Sequence, residues 1–205
     1  TVIPGFIDAH FHLKNFGKRI GQLNLKNINS LNEIKNLIES RIKILKKGEW
    51  LLGFGWDQNL WEDKNYPPKE FLNNIAKDNP IYLLRIDGHA SWINNQALLH
   101  SQITIKEVQS VPGGEVVNDC IIIDNAMNPI KKYLPKENKN QIKQWIKIAA
   151  KKAITMGITG VHDAWQDRIT INAIKELIKE NNFPLQCYGM LASNDDDLLN
   201  EFFTS

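Results

Sequence analysis

With 205 residues, the chain is long enough for a domain with a sizeable apolar core. Its 42% hydrophobic and 23% charged content is that of a globular protein and excludes a disordered or fibrous chain. The net charge of +2 is spread as lysines interleaved with Asp and Glu, which gives no basic face for nucleic acid, and no apolar run is long enough to span a bilayer.

The first element, VIPGFIDAHFHL, reads as a strand, apolar with polar residues at alternate places. SLNEIKNLIESRIKILKKG reads as a helix, with Ser30 as N-cap, Glu33 completing a capping box and Gly48 as its end. Its Leu31, Ile34, Leu37, Ile38, Ile42 and Leu45 form one buried stripe. WLLGFGWDQ, residues 50–58, is a second strand, and Pro67–Pro68 opens a short helix, KEFLNNIAK. PIYLLRIDGHA, residues 80–90, is a third strand, nearly continuous in apolar residues, as suits a strand covered on both faces. WINNQALLHS reads as a helix, and residues 101–125 as irregular around the turn VPGG.

KNQIKQWIKIAAKKAITMG, residues 139–157, is a strongly amphipathic helix ended by Gly157. GITGVHDAW is the fourth strand, RITINAIKELIKENN a helix and FPLQCYGMLA the fifth strand. NDDDLLNEFF begins a last helix behind Asn194 or Asp195, and the chain closes at NEFFTS. Cys120 and Cys187 are far apart and read as two half-buried thiols, not a disulfide framework. The chain starts at Thr1 in a segment that already reads as a buried strand, so a piece of a longer protein is expected. The absence of a visible export signal then leaves the cytoplasm as a default location only.

Alternation of strands and helices with short connections implies right-handed βαβ units and a parallel sheet, either doubly wound or part of a (β/α)₈ barrel. Ionisable residues gather where strands end: His10 and His12, Asp57, Asp87 and His89, His162 and Asp163. In a barrel that rim holds the active site. On a strand, His10 and His12 project to one face, about 6.5–7 Å apart along the chain. Two imidazoles so placed are able to bind one divalent transition metal, and zinc, iron, nickel and cobalt all suit such donors; zinc is the first expectation, with iron or manganese as alternatives. Such an ion lowers the pKa of its bound water towards about 7, which serves hydrolysis of an amide, ester or C–N bond. Asp8, in phase, is expected to orient an imidazole or to bond nearby backbone, with Ile7, Ala9 and Phe11 packing outward against helices.

PGFIDAHFHL resembles the metal-binding signature on the first barrel strand of the amidohydrolase superfamily. FGWDQNLW, PIYLLRIDGHASWINNQAL, PGGEVV, IDNAM and MGITGVHDA follow in the order of one branch, amidohydrolase family three, which includes the N-substituted formamide deformylases. The resemblance implies an α/β fold: a partial, distorted (β/α)₈ TIM barrel of roughly the first five strands over residues 1–205, without its small β-sandwich. It implies further metal-binding histidines and a catalytic aspartate downstream. The lysine that many relatives carry at the end of the fourth strand is absent, because that place reads VHDAW. His162 or Asp163 would have to stand in, and Asp124 of IDNAM is a further candidate ligand.

The expected metal set is therefore His10, His12, Asp124 and His162, with His89, Asp87 and Asp163 as catalytic candidates. Arg85, Asp57 and Trp56 are expected to line the substrate pocket, with Trp61 and Trp92 either completing an apolar wall or belonging to the core. Arg85, Asp87 and His89 share a strand face in this reading, and their alternative is a rim ion pair. The expected function is metal-dependent hydrolysis of non-peptide C–N bonds in a small-molecule substrate, an N-acyl or N-formyl amide. The rivals are an esterase or cyclic-amide hydrolase of the same fold, or a non-catalytic domain. No nucleic-acid or membrane partner is expected, and a homodimer is left open.

Overall fold

The computed structural model describes residues 3–203; Val2 of the expected first strand, and Thr204 and Ser205 after the last helix, lie outside the described residues. The described residues up to Gly21 and from Glu137 onward form one compact unit, and Gln22–Lys136 form another. The first unit opens with β1 (Phe6–Phe11) and α1 (Leu13–Gly21).

The second unit follows with β2 (Leu23–Asn24), α2 (Leu31–Ile42), β3 (Leu51–Trp56) and α3 (Glu70–Ile75). Next come β4 (Ile81–Arg85), β5 (Ala90–Ile93), α4 (Asn95–His100) and α5 (Ile105–Gln109), then β6 (Gly114–Val117), β7 (Ile121–Asp124) and α6 (Asn128–Lys131). Its six strands lie in the order β2-β3-β4-β5-β7-β6, parallel from β2 to β4 and antiparallel thereafter. Ile81 and Leu83 pack on one side of this sheet with Trp56 and Trp92, while Tyr82 packs on the other with Ile93 and Ile122. That two-sided burial is why PIYLL reads as a continuous apolar run.

Local chemistry sets the element ends. Ser30 Oγ accepts the Glu33 amide, so α2 starts where expected, but it stops at Ile42 rather than at Gly48. Trp92 and Ile93, expected to open a helix, instead end the strand Ala90–Ile93, because Asn94 is a buried cap. Its Oδ1 accepts the Ala97 and Ile81 amides, and its Nδ2 donates to the Ala76 and Asn79 carbonyls, so α4 starts only after it. Residues 101–125 are also more regular than expected. Thr104 and Glu107 form a capping box on α5, and β6 and β7 make a hairpin whose Asn118 and Asp119 both take positive φ.

The first unit resumes with α7 (Lys139–Thr155), β8 (Ile158–Gln166), α8 (Arg168–Lys179), β9 (Gln186–Leu191) and α9 (Asp196–Phe203). β8 lies between β1 and β9, parallel to both. Phe11 and Val161 pack against Ile142, Ile146, Ala149, Ala150 and Ala153 of α7 and Ala173, Ile174 and Leu177 of α8. Strands one, four and five of the sequence reading thus make one parallel sheet, whereas the second and third, β3 and β4, belong to the mixed sheet. The short turn from β4 to β5 permits only antiparallel pairing, which a barrel strand followed by a helix does not have.

α1 packs on α7 through Gly17. A Cβ there would stand 1.8 Å from the Trp145 carbonyl oxygen, a backbone atom unable to yield. Gly17→Ala is expected to cost about 1–3 kcal/mol, read as a lower denaturant midpoint. An unchanged midpoint would mean that α1 slides freely on α7.

Candidate functional site

His10 and His12 lie at the end of β1, just before α1 begins. Their ring centroids are 5.1 Å apart and the rings meet edge-on at 77°. Both residues are exposed. His12 Nδ1 lies 3.1 Å from the Ala164 carbonyl oxygen on β8. A carbonyl only accepts, so Nδ1 carries the hydrogen and the neutral ring keeps its lone pair on Nε2. This carbonyl-held tautomer is the arrangement that presents an imidazole to a metal.

Asp8 does not join the pair as an in-phase third group. Its Oδ1 accepts the His10 backbone amide at 3.0 Å, the second of the two roles expected for it. Between Asp8 and Phe11, β1 spends three residues where β8 spends two, from Val161 to Asp163. This irregularity breaks the strict alternation and re-aims the side chains that follow. Phe11 packs against the helices as expected, but Ile7 is 62% exposed and Ala9 is also exposed.

Asp163, expected as a catalytic candidate, is a buried carboxylate with both oxygens hydrogen-bonded. It is 2% exposed, and its Oδ1 accepts the Leu13 amide at 2.6 Å while its Oδ2 accepts Gln166 Nε2 at 2.8 Å. Burial pushes its carboxyl above the usual carboxylate range, against the opposing pull of the Leu13 and Gln166 hydrogen bonds. Oδ1 thus ties β8 to the first amide of α1, one residue beyond His12, while Oδ2 is spent on Gln166 of β8 itself. His162 is half-buried on the opposite side of β8 from core-packed Val161, with its ring centroid 5.2 Å from that of Tyr188 on β9. Among the described residues no three His, Cys, Asp or Glu side chains converge as a metal-holding group.

In the second unit, β4 ends at Arg85, and residues 86–89 turn through Gly88 at φ +80°. Arg85, Asp87 and His89 therefore do not share a strand face. Arg85 Nη1 donates to Asp87 at 2.7 Å, its Nε donates to Gln58 Oε1 at 3.0 Å, and Nη2 stands 3.6 Å from Asp57. The ion-pair alternative holds for Arg85. Asp87 Oδ1 accepts the His89 amide at 3.0 Å, and His89 Nδ1 meets Asp124 Oδ1 at 2.9 Å. Asp124 sits at φ +49°, a left-handed backbone for a non-glycine residue.

Trp56 is wholly enclosed: its Nε1 donates to the Leu83 carbonyl at 2.7 Å, and its ring packs on Trp61 and Trp92. All three tryptophans are core, which corrects the pocket role expected of Trp56. Cys120 and Cys187 are free thiols pushed up to about 12 and about 11 by burial, and so stay protonated. The Ala164 carbonyl and Gln166 were not legible as site residues, because a backbone acceptor and a lone amide carry no motif. Among the described residues no helix is long and apolar enough to cross a membrane.

The chain is 29% identical over 199 residues to YtcJ of Bacillus subtilis (strain 168), covering 92% of the chain and 37% of that protein. It is 29% identical over 169 residues to the Arabidopsis thaliana protein LONG AFTER FAR-RED 3, covering 79% and 28% respectively. It is 30% identical over 100 residues to the N-substituted formamide deformylase of Arthrobacter pascens, covering 48% and 18%. The chain thus spans less than two fifths of the length of these relatives.

Among solved structures, a metal-dependent hydrolase from Pyrococcus horikoshii OT3 superposes with a TM-score of 0.73 at 21% identity, over 97% of this chain and 38% of that one. One from Pyrococcus furiosus gives 0.70 at 22% identity, over 97% and 40%. The fold is accordingly α/β and a partial, barrel-type one. Residues 1–202 match the model of the amidohydrolase family, of the group numbered three, and the chain belongs to that family.

Proposed function

We propose that the protein containing these residues is a metal-dependent hydrolase of non-peptide carbon–nitrogen bonds, acting on N-formyl or N-acyl amides of small molecules. The observation that carries this reading is the His10–His12 pair with His12 fixed through Nδ1 by the Ala164 carbonyl. Family membership supports hydrolysis, and the names of the two Pyrococcus proteins support a metal. The deformylase relative supports the amide class.

The donor set fits a divalent transition metal in part. His10 and His12 supply two imidazole nitrogens, and the remaining ligands must come from other residues, with His162 the proposed next one on this chain. Imidazole donors suit zinc best, with iron or manganese as competitors. Such an ion, when bound, polarises a carbonyl and makes hydroxide available near neutral pH. Asp163 and the Ala164 carbonyl hold the strand end in place. Within the second unit, Asp87 fixes the turn that carries His89, whose Nδ1 donates to Asp124.

Full-length protein stripped by chelator and reloaded with zinc, iron(II) or manganese tests this reading. The expected result is metal-dependent amine release from N-benzylformamide. Turnover confined to an aryl acetate or a hydantoin would replace the amide reading with an esterase or cyclic-amide hydrolase. No turnover of any of these by metal-loaded protein would overturn the hydrolase reading.

A further inference from the structure

Trp165 stands at the end of β8 with φ +61°, a left-handed backbone that bulky residues rarely adopt. Its neighbours account for the conformation. From Asp163 to Gln166, β8 spends three residues against two on β9, from Gly189 to Leu191. Ala164 is held by His12, whose Nδ1 donates to its carbonyl. Gln166 is 5% exposed, with its side-chain amide on Asp163 and its carbonyl accepting the Ala192 amide at 3.0 Å. The extra residue is therefore forced outward, and Trp165 is 59% exposed while the residues on either side are fixed.

A large aromatic residue shown to solvent by strained backbone, one peptide from the carbonyl that fixes His12, is costly unless it is used. We propose that Trp165 is a specificity-determining residue whose indole packs against an apolar N-substituent of the substrate. The inference rests on the amide-hydrolase reading above. An indole supplies a broad apolar face with few rotatable bonds, which favours a flat or aromatic substituent over a methyl group.

The experiment uses full-length, metal-loaded protein with N-benzylformamide and N-methylformamide, comparing the parent with Trp165→Gly, Trp165→Asn and Trp165→Phe. Gly and Asn tolerate left-handed backbone, so two independent variants remove the indole without adding strain. The expected result is a KM for N-benzylformamide raised at least about tenfold in both, with KM for N-methylformamide within about twofold and kcat within about threefold. Metal content should be unchanged, and Trp165→Phe should stay within about threefold of the parent. Equal KM changes for the two substrates, or unaltered KM with a lowered Tm, would overturn the proposal and place the indole in packing. No turnover by the metal-loaded parent would remove the hydrolase reading, and this inference with it.

Discussion

Full-length protein purified without chelator should carry about one or two equivalents of a divalent transition metal, and its His10→Ala/His12→Ala variant should carry none. Elemental mass spectrometry measures both. The two imidazoles are adjacent, and one is already held in the tautomer that frees Nε2. In the proposed site, removing both would take away half of a four-coordinate ligand set. Amide hydrolysis should fall by at least about 10³-fold, since polarisation of the carbonyl and activation of water are lost together. The same substitutions should leave stability within about 1 kcal/mol, because both residues are exposed, neither side chain fills the core, and only the His12 hydrogen bond to the Ala164 carbonyl is lost. A variant that loses metal but keeps its denaturant midpoint therefore separates a ligand role from a folding role. Metal retained by the variant would place the site on other residues. No metal in the parent, even after zinc, iron and manganese are added, would make the histidines structural.

The histidine pair was legible because adjacency at i and i+2 is a property of the strand itself. The fate of Asp8 was not, because the irregularity that redirects it arises from pairing with β8, some 150 residues later in the chain. The same limit applies to β3 and β4. Their apolar runs announce burial on both faces but not which sheet they join, and the antiparallel β5 and β7 that decide it lie in segments read as helix and as irregular. The hairpin of β6 and β7 did carry a signal, Val-Val-Asn-Asp-Cys-Ile-Ile-Ile, in which a polar turn separates two β-branched runs. Arg85, Asp87 and His89 share a face only on a strand that runs through Gly88, whereas β4 ends at Arg85 and the chain then turns through Gly88 at positive φ. Tryptophans close to motif residues are not thereby pocket residues. Trp56 sits next to Asp57 in sequence, yet its indole is satisfied by Leu83 inside the core.

Asp163→Ala should cost about 3 kcal/mol, since it orphans the buried Leu13 amide and leaves the Gln166 side-chain amide only the weak Cys187 Sγ acceptor, at 3.6 Å. Asp163→Asn should cost far less: its Oδ1 still accepts from Leu13, and its amide donates to Gln166 once that side chain is flipped. The two variants also differ from the parent in pH dependence. Burial raises the Asp163 carboxyl above its unfolded value near 4, so the folded protein binds this proton more tightly than the unfolded chain. The associated stability is fully present below the unfolded value and is lost as pH rises through the raised folded value. Urea midpoints measured upward from about pH 4 should therefore decline for the parent and decline less for Asp163→Asn, which has no proton to lose. An equal decline in both would assign the titration to another group. Because Leu13 follows His12 directly, freeing its amide also loosens the imidazole. Asp163→Ala should thus weaken metal binding by about 10–100-fold, with Asp163→Asn restoring it. Asparagine rescue of both midpoint and metal would show that a buried hydrogen bond, and not a charge near the ion, is what β8 contributes through this residue.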